Sequence, residues 1–340
     1  MSEPLRPLSA EWRERLGEWL SDALAKPLRV RDAGRITVGH SRAMYRVDTT
    51  VGPLVIRMEQ QGVFGTDSTE ELRVMAAVGR TGFPVAPVRA HEPTGAVLGR
   101  PFFVMDFVAG DPAAGTPAQS AHHVADERAL SPAAAEHFVT VLRDLHALDP
   151  GPLQSAFAIV PSRPSDATHA QIDRWLLVAR GSAPEPIALL EEAAAWLHHF
   201  APPLARLSVV HGDPGPGNLI HRDERIVAVT DWEFAHLGDP AEDWSFCLTM
   251  RGARTLPRTE WLSLYERLAG VTYEPARWTY WEAFNLFKGA CANRTCLQLF
   301  ESGLHRAPNM AIIGTTLHQV FLRRLVDITA HPLSIGASTA

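Results

Sequence analysis

The chain has 340 residues, a formal net charge of −6 and a sequence pI near 6.2, and 46% of its residues are hydrophobic. That length supports two lobes with sizeable cores, and the acidic balance gives no general nucleic-acid footprint. Cys247, Cys291 and Cys296 form no CxxC pair, which argues against a disulfide framework or zinc site and fits a reducing compartment.

From the N-terminus, Ser9 is placed to cap a helix over Ala10 to Leu24, with Trp12, Leu16, Trp19 and Leu20 at helical spacing. Ile36 to Gly39, Met44 to Asp48 and Pro53 to Met58 read as strands, joined by turns at His40 to Ala43 and Thr49 to Gly52. A helix follows over Ser68 to Arg80, carrying Glu70 and Glu71, and then two apolar strands, Val85 to His91 and Pro101 to Val108. Gly110 to Ser131, rich in Ala, Pro, Gly and His, reads as an irregular crossing. Pro132 starts a helix through Leu148, with Phe138, Leu142, Leu145 and His146 near one face.

Val209 to Phe246 carries the chemistry. Asp213 follows His211 and Gly212, Asn218 comes next, and Asp231 follows a short apolar run. Leu219 and Ile220, then Ile226 to Val229, read as two strands around the turn His221 to Arg225. Such a hairpin returns Asp231 to the side of Asn218. Transfer of a γ-phosphoryl group needs a carboxylate to orient the acceptor hydroxyl and oxygen ligands to hold Mg²⁺, and these residues supply both. Taken singly, each has a plain structural reading: Asp213 as a turn or cap, Asn218 as a left-handed turn residue, Asp231 as a strand-end cap. Gly212, Gly215 and Gly217 do not make a dinucleotide fingerprint, because Ile220 stands where the third glycine of GxGxxG belongs. There is no Walker A sequence.

Three helices, Thr259 to Leu268, Glu274 to Phe300 and Asn309 to Ile328, are expected after this segment. In the second, Trp278, Trp281, Phe284, Asn285 and Lys288 recur at three-to-four spacing, an aromatic face ending in a cation. Adjacent histidines do not share a helix face, and His122 with His123 and His198 with His199 lack a carboxylate at ligand spacing. They read as surface. No basic region precedes an apolar stretch at the N-terminus, and no run approaches ~18 apolar residues. The expectation is a cytoplasmic protein without a membrane partner.

His211, Gly212, Asp213 and Asn218, followed by Asp231, Trp232 and Glu233, resemble the HGDxxxxN and DxE-type motifs of the aminoglycoside phosphotransferase and choline kinase-like superfamily. The continuation Gly238, Asp239, Pro240, Glu242, Asp243 is similar to a bacterial phosphotransferase subfamily that includes N-terminal domains fused to some acyl-CoA dehydrogenases. The resemblance implies an α+β, protein-kinase-like fold of two lobes. An antiparallel-sheet N-lobe over residues 1–107 would bind nucleotide, and a mainly helical C-lobe over 108–340 would hold the catalytic loop.

It also implies roles. Asp213 would be the catalytic base, Asn218 and Asp231 the Mg²⁺ ligands, and ATP, or alternatively GTP, the phosphoryl donor. Arg57 stands where protein kinases place a lysine on the phosphates, with Glu71 as its ion-pair partner. Gly39 and Ser41 would cover the phosphates, and Met105 and Phe107 would belong to the adenine hinge. His146 and His211 would support the catalytic loop, and Asp239 and Asp243 would act as caps and loop anchors.

The resemblance implies a small-molecule alcohol as the acceptor. Trp281, Lys288 and Arg254 are its candidate contacts, with Arg251 and Arg294 nearby in the sequence as further cations. Beyond Met250 there is no dense acidic cluster of the kind a polycation requires. An anionic or neutral alcohol, which the resemblance to the dehydrogenase-fused domains implies to be a hydroxy acid or hydroxyacyl-CoA, therefore stands ahead of two alternatives. These are an aminoglycoside or macrolide kinase and a catalytically silent nucleotide-binding scaffold.

Overall fold

The computed structural model describes residues 8–36, 42–59, 63–65, 68–112, 130–182, 187–251, 256–305 and 307–333. Five antiparallel strands form the N-terminal sheet: β1 (Val30–Ile36), β2 (Arg42–Thr49), β3 (Gly52–Glu59), β4 (Val88–Glu92) and β5 (Phe102–Asp106), in the order β1-β2-β3-β5-β4. Alternation along the strands sorts their side chains onto two faces. Tyr45, Val47, Leu54, Ile56, Met58, Phe102 and Val104 meet Trp12, Leu16 and Leu20 of helix α1 (Ala10–Ala23), whose start is capped by Ser9. Val55, Phe103 and Met105 face the other way, toward α2 (Ser68–Gly79) and the rest of the molecule. Arg57 has the parity of Val55, so it points inward.

The first strand differs from expectation. It starts earlier than expected, at Val30, because an edge strand reading VRDAGRI, with no buried residue, has almost no apolar alternation to announce it; Thr37 to Gly39 of the expected strand lie outside the described residues. Val85 lies outside β4 and instead makes a parallel bridge to Val229, while the Val229 amide donates to the Pro84 carbonyl at 2.8 Å. That bridge ties the sheet side of the molecule to the strand that precedes Asp231.

The remaining chain is mainly helical: α3 (Pro132–Ala147), α4 (Asp166–Ser182), α5 (Ala188–His199), α6 (Ala241–Phe246), α7 (Arg258–Leu264), α8 (Pro275–Glu301), α9 (Pro308–Ile312) and α10 (His318–Thr329). Its strands are short. β7 (Ser208–Val210) pairs with β10 (His236–Gly238), and β8 (Leu219–Arg222) pairs with β9 (Arg225–Val229) and with β6 (Asp111–Pro112). The β8–β9 turn places Asp223 and Glu224 at φ of 48° and 62°, the left-handed pair of a tight two-residue hairpin. Among the described residues, no helix is long and apolar enough to cross a membrane.

Helix α8 is the spine of the C-terminal part, buried along most of its 27 residues against α4, α6 and α10. The crossing expected over Gly110 to Ser131 falls largely outside the described residues, as do His122 and His123.

Candidate active site

The fully buried strand β7 delivers the chain into His211, Gly212 and Asp213. Gly212 has φ +82°, and a Cβ there would sit 2.6 Å from the Phe234 carbonyl oxygen. Both the angle and the contact require glycine. Gly212→Ala is expected to destabilise the chain by about 1–3 kcal/mol, the usual range for a strained non-glycine backbone, and thermal denaturation would measure it.

Asp243 holds this loop from below. Its Oδ2 accepts from the His211 amide at 2.8 Å and its Oδ1 from the Gly212 amide at 2.8 Å, while His146 Nε2 lies 2.9 Å from Oδ2. Burial alone would raise the Asp243 carboxyl, but the bonds from His146 and the His211 amide outweigh it and leave it below the ordinary carboxylate value. Asp243 thus anchors the loop as expected, but it does not cap a helix. Helix α6 starts at Ala241, whose amide donates to Asp239 Oδ1 at 2.9 Å, and Asp243 lies inside its first turn. Asp239 also pairs with Arg277.

His211 links the two halves of the site. Its Nδ1 accepts from the Asp213 amide at 3.3 Å, so Nε2 carries the proton and donates to the Thr230 carbonyl at 3.0 Å. Burial pushes its pKa down, consistent with a neutral ring that positions the loop.

Asn218 donates through Nδ2 to the Asp213 carbonyl at 2.8 Å and to Asp213 Oδ2 at 3.0 Å. Its carboxamide oxygen is therefore the atom it can offer a cation. The Asn218 carbonyl accepts from the Thr230 amide at 2.9 Å, which brings Asp231 alongside as the hairpin expectation required. Asp231 is left-handed, at φ 66° and ψ 59°, a conformation that costs energy for any residue but glycine and is concentrated at functional sites.

Arg57 reaches the same place from β3. It is 5% exposed, and its Nε and Nη2 each lie 2.9 Å from a different oxygen of Glu71. Nη2 also lies 2.6 Å from Asp231 Oδ1. Burial opposes its charge, but Glu71, Asp231 and Glu233 more than compensate and raise its pKa above the ordinary value. Glu71 is buried on the α2 face shared with Val74, Met75 and Val78. Glu70 faces elsewhere, accepting from the Ala158 amide at 2.9 Å.

Met105 packs in the core that joins sheet and helices, and Phe107 lies beside it under the Arg46 guanidinium, 4.5 Å from its ring centroid. Gly39, Ser41 and Arg254 lie outside the described residues, as does the Arg251 side chain.

Two expected substrate contacts are corrected. Lys288 does not reach a cleft: it is 2% exposed, with Nζ 2.5 Å from the Gly212 carbonyl oxygen and 2.6 Å from Glu242 Oε1. A cation that deep must be paired, and its partners are the Gly212 carbonyl and the Glu242 carboxylate. Trp281 is 1% exposed and packs edge-on against Tyr280 and Phe284, so it is core. His198 is not simply solvated either, since its Nδ1 lies 2.8 Å from that of His169.

Residues 32–280, nearly three quarters of the chain, match the model of the phosphotransferase enzyme family known as APH. The chain belongs to this family. Curated relatives include mouse acyl-CoA dehydrogenase family member 10, 26% identical over 74% of this chain, and human family member 11, 26% identical over 65%. The chain spans 25% and 30% of their respective lengths.

Solved structures of the same fold include a Ralstonia eutropha protein provisionally named an aminoglycoside phosphotransferase. It has TM-score 0.64 and 23% identity, with 93% of this chain and 98% of that one covered. The macrolide 2′-phosphotransferase MphH of Brachybacterium faecium aligns with TM-score 0.57 and 19% identity over 89% of this chain and 98% of its own. A hygromycin B and ADP complex of aminoglycoside phosphotransferase APH(4)-Ia aligns with TM-score 0.60 and 15% identity over 95% and 99%. The family's architecture is that of the present chain: a protein-kinase-like pair of lobes, one a small antiparallel sheet and the other mainly helical.

Proposed function

We propose that this chain is an ATP-dependent kinase that moves the γ-phosphoryl group onto a hydroxyl of a small molecule, with Mg²⁺ as cofactor. The observation that carries the reading is the convergence of Asp213, Asn218, Asp231, Arg57 and Glu71, contributed by the loop after β7, the two ends of the β8–β9 hairpin, β3 and α2. The adenine nucleotide is supported by the ADP in one structural neighbour.

The donor set fits the metal. Asn218 and Asp231 offer hard oxygen atoms, and Mg²⁺ characteristically takes one or two protein ligands and completes its shell with phosphate and water. Among the described residues, no group of three or more His, Cys, Asp or Glu could hold an ion by itself, which agrees with a cation shared with nucleotide phosphates. When bound, Mg²⁺ would neutralise charge on the transferring phosphates.

The chain's own residues do the rest. Asp213 takes the hydroxyl proton as the acceptor oxygen bonds to phosphorus and the bond to the departing ADP oxygen breaks. Asn218 fixes the Asp213 carboxylate, and Arg57, braced by Glu71, holds the phosphates. Because the transition state is loose, catalysis here is mostly positioning and charge stabilisation.

Asp231→Ala is expected to weaken nucleotide affinity roughly 10- to 150-fold in the presence of Mg²⁺, equivalent to the about 1.5–3 kcal/mol of a hydrogen bond to a charged group. Its effect without Mg²⁺ should be smaller. Titration calorimetry with and without the metal checks this, and equal losses in both conditions would remove Asp231 from the metal site.

For the acceptor, we propose a hydroxy acid or hydroxyacyl thioester, supported by the names of the curated relatives. A screen of hydroxy acids, hydroxyacyl-CoA esters, aminoglycosides and macrolides with γ-labelled ATP and GTP tests the whole reading. Label in a hydroxyacyl product is the expected result. Label in an antibiotic would reassign the acceptor, and no transfer to any alcohol would leave a silent nucleotide-binding scaffold.

A further inference from the structure

We infer that Lys288 is a positioning residue for Asp213, acting through the carbonyl of Gly212; this rests on the kinase reading of the site. The peptide unit between Gly212 and Asp213 is planar, so fixing its carbonyl oxygen and its amide fixes the direction in which the Asp213 Cα leaves it. Lys288 Nζ holds the oxygen at 2.5 Å, and His211 Nδ1 accepts from the amide at 3.3 Å. The preceding peptide is held separately, by Asp243 on the Gly212 amide. The loop is thus gripped on successive peptides by one cation and one anion, both buried.

Lys288 is itself held in place. Glu242 is fully buried, and its Oε1 lies 2.6 Å from Nζ, while its Oε2 lies 3.1 Å from His236 Nε2. Burial by itself would raise the Glu242 carboxyl, yet Lys288 and then His236 leave it below its ordinary value. The rings of Phe246 and Phe284 lie 5.4 and 5.8 Å from Nζ.

A side chain needed only to fill that space could be methionine, since replacing a buried ion pair with apolar groups of similar volume is often neutral or stabilising. What methionine cannot do is donate to the Gly212 carbonyl. The pair Glu242 and Lys288 therefore has a use that packing does not account for, and it spans the chain from α6 to α8.

The test uses the full chain carrying Lys288→Met, and also Lys288→Met with Glu242→Gln, which leaves no unpaired charge if the single variant folds poorly. Amide hydrogen exchange over residues 209–214 without nucleotide is read first. Faster exchange at Asp213, with the melting temperature of the double variant near wild type, is expected, and unchanged exchange overturns the inference whether or not an acceptor is known. With an acceptor in hand, kcat of the double variant should fall about 10- to 100-fold, the scale of a small misplacement of a reacting group, while KM for ATP stays within about threefold. Wild-type kcat in the double variant overturns the positioning role. Failure of the wild-type chain to transfer phosphate would defeat the kinase reading and leave the exchange result standing.

Discussion

Asp213→Asn is expected to lower kcat by about 10²- to 10⁴-fold, the usual contribution of a positioned general base, while nucleotide affinity and stability stay close to wild type. The structure explains why the change is selective. Asn218 Nδ2 donates to the Asp213 backbone carbonyl at 2.8 Å as well as to the carboxylate at 3.0 Å. The first bond survives any substitution, and an asparagine oxygen can still accept the second. The loop anchors at Asp243, His211 and Lys288 do not use the Asp213 side chain either. Proton acceptance is what the substitution removes. Steady-state turnover with the acceptor from the labelled-ATP screen, alongside nucleotide calorimetry, measures both quantities. Turnover equal to wild type would take the base role away from Asp213.

The site's centre was readable from the sequence because its geometry is local. Asp213, Asn218 and Asp231 lie on one loop and one tight hairpin, so their order along the chain nearly determines their arrangement in space. Arg57 and Glu71 were reachable only through the family resemblance, since strand and helix periodicity leaves Glu70 and Glu71 as equal candidates. The inward parity of Arg57 on β3 and the buried face of α2 settle the choice.

Lys288 shows the opposite case. A cation at the end of an aromatic stripe has the same sequence pattern whether it faces a cleft or tucks under a loop. The feature that decides is Glu242, on another helix and 46 positions away. Asp243 was misread as a helix cap for a related reason. Its ligands are backbone amides of His211 and Gly212, and backbone amides leave no mark in a sequence. Aromatic spacing in α8 likewise could not separate Trp281 as core from Trp281 as pocket wall, because the helix is buried nearly all round.

Asp243→Asn should produce the contrasting phenotype to Asp213→Asn, a loss of stability together with activity. The carboxylate satisfies two buried amides and lies within hydrogen-bonding distance of His146 Nε2, and it is fully buried. An asparagine has one acceptor oxygen for those three donors, and its own amide group would face one of them. The expected cost at pH 7 is about 1–3 kcal/mol for each buried donor left without an acceptor. Urea unfolding monitored by tryptophan fluorescence measures it. The dependence on pH gives a second, independent check. Because the folded-state pKa of Asp243 lies below its unfolded value of about 3.9, its contribution is fully present above that value and disappears as pH falls through the lower, folded one. The gap between wild type and variant should therefore be widest near neutrality and close progressively below about pH 4. A gap that is small at pH 7, or that does not change with acid, would mean that the loop is anchored by its packing and by Lys288, with the Asp243 charge contributing little.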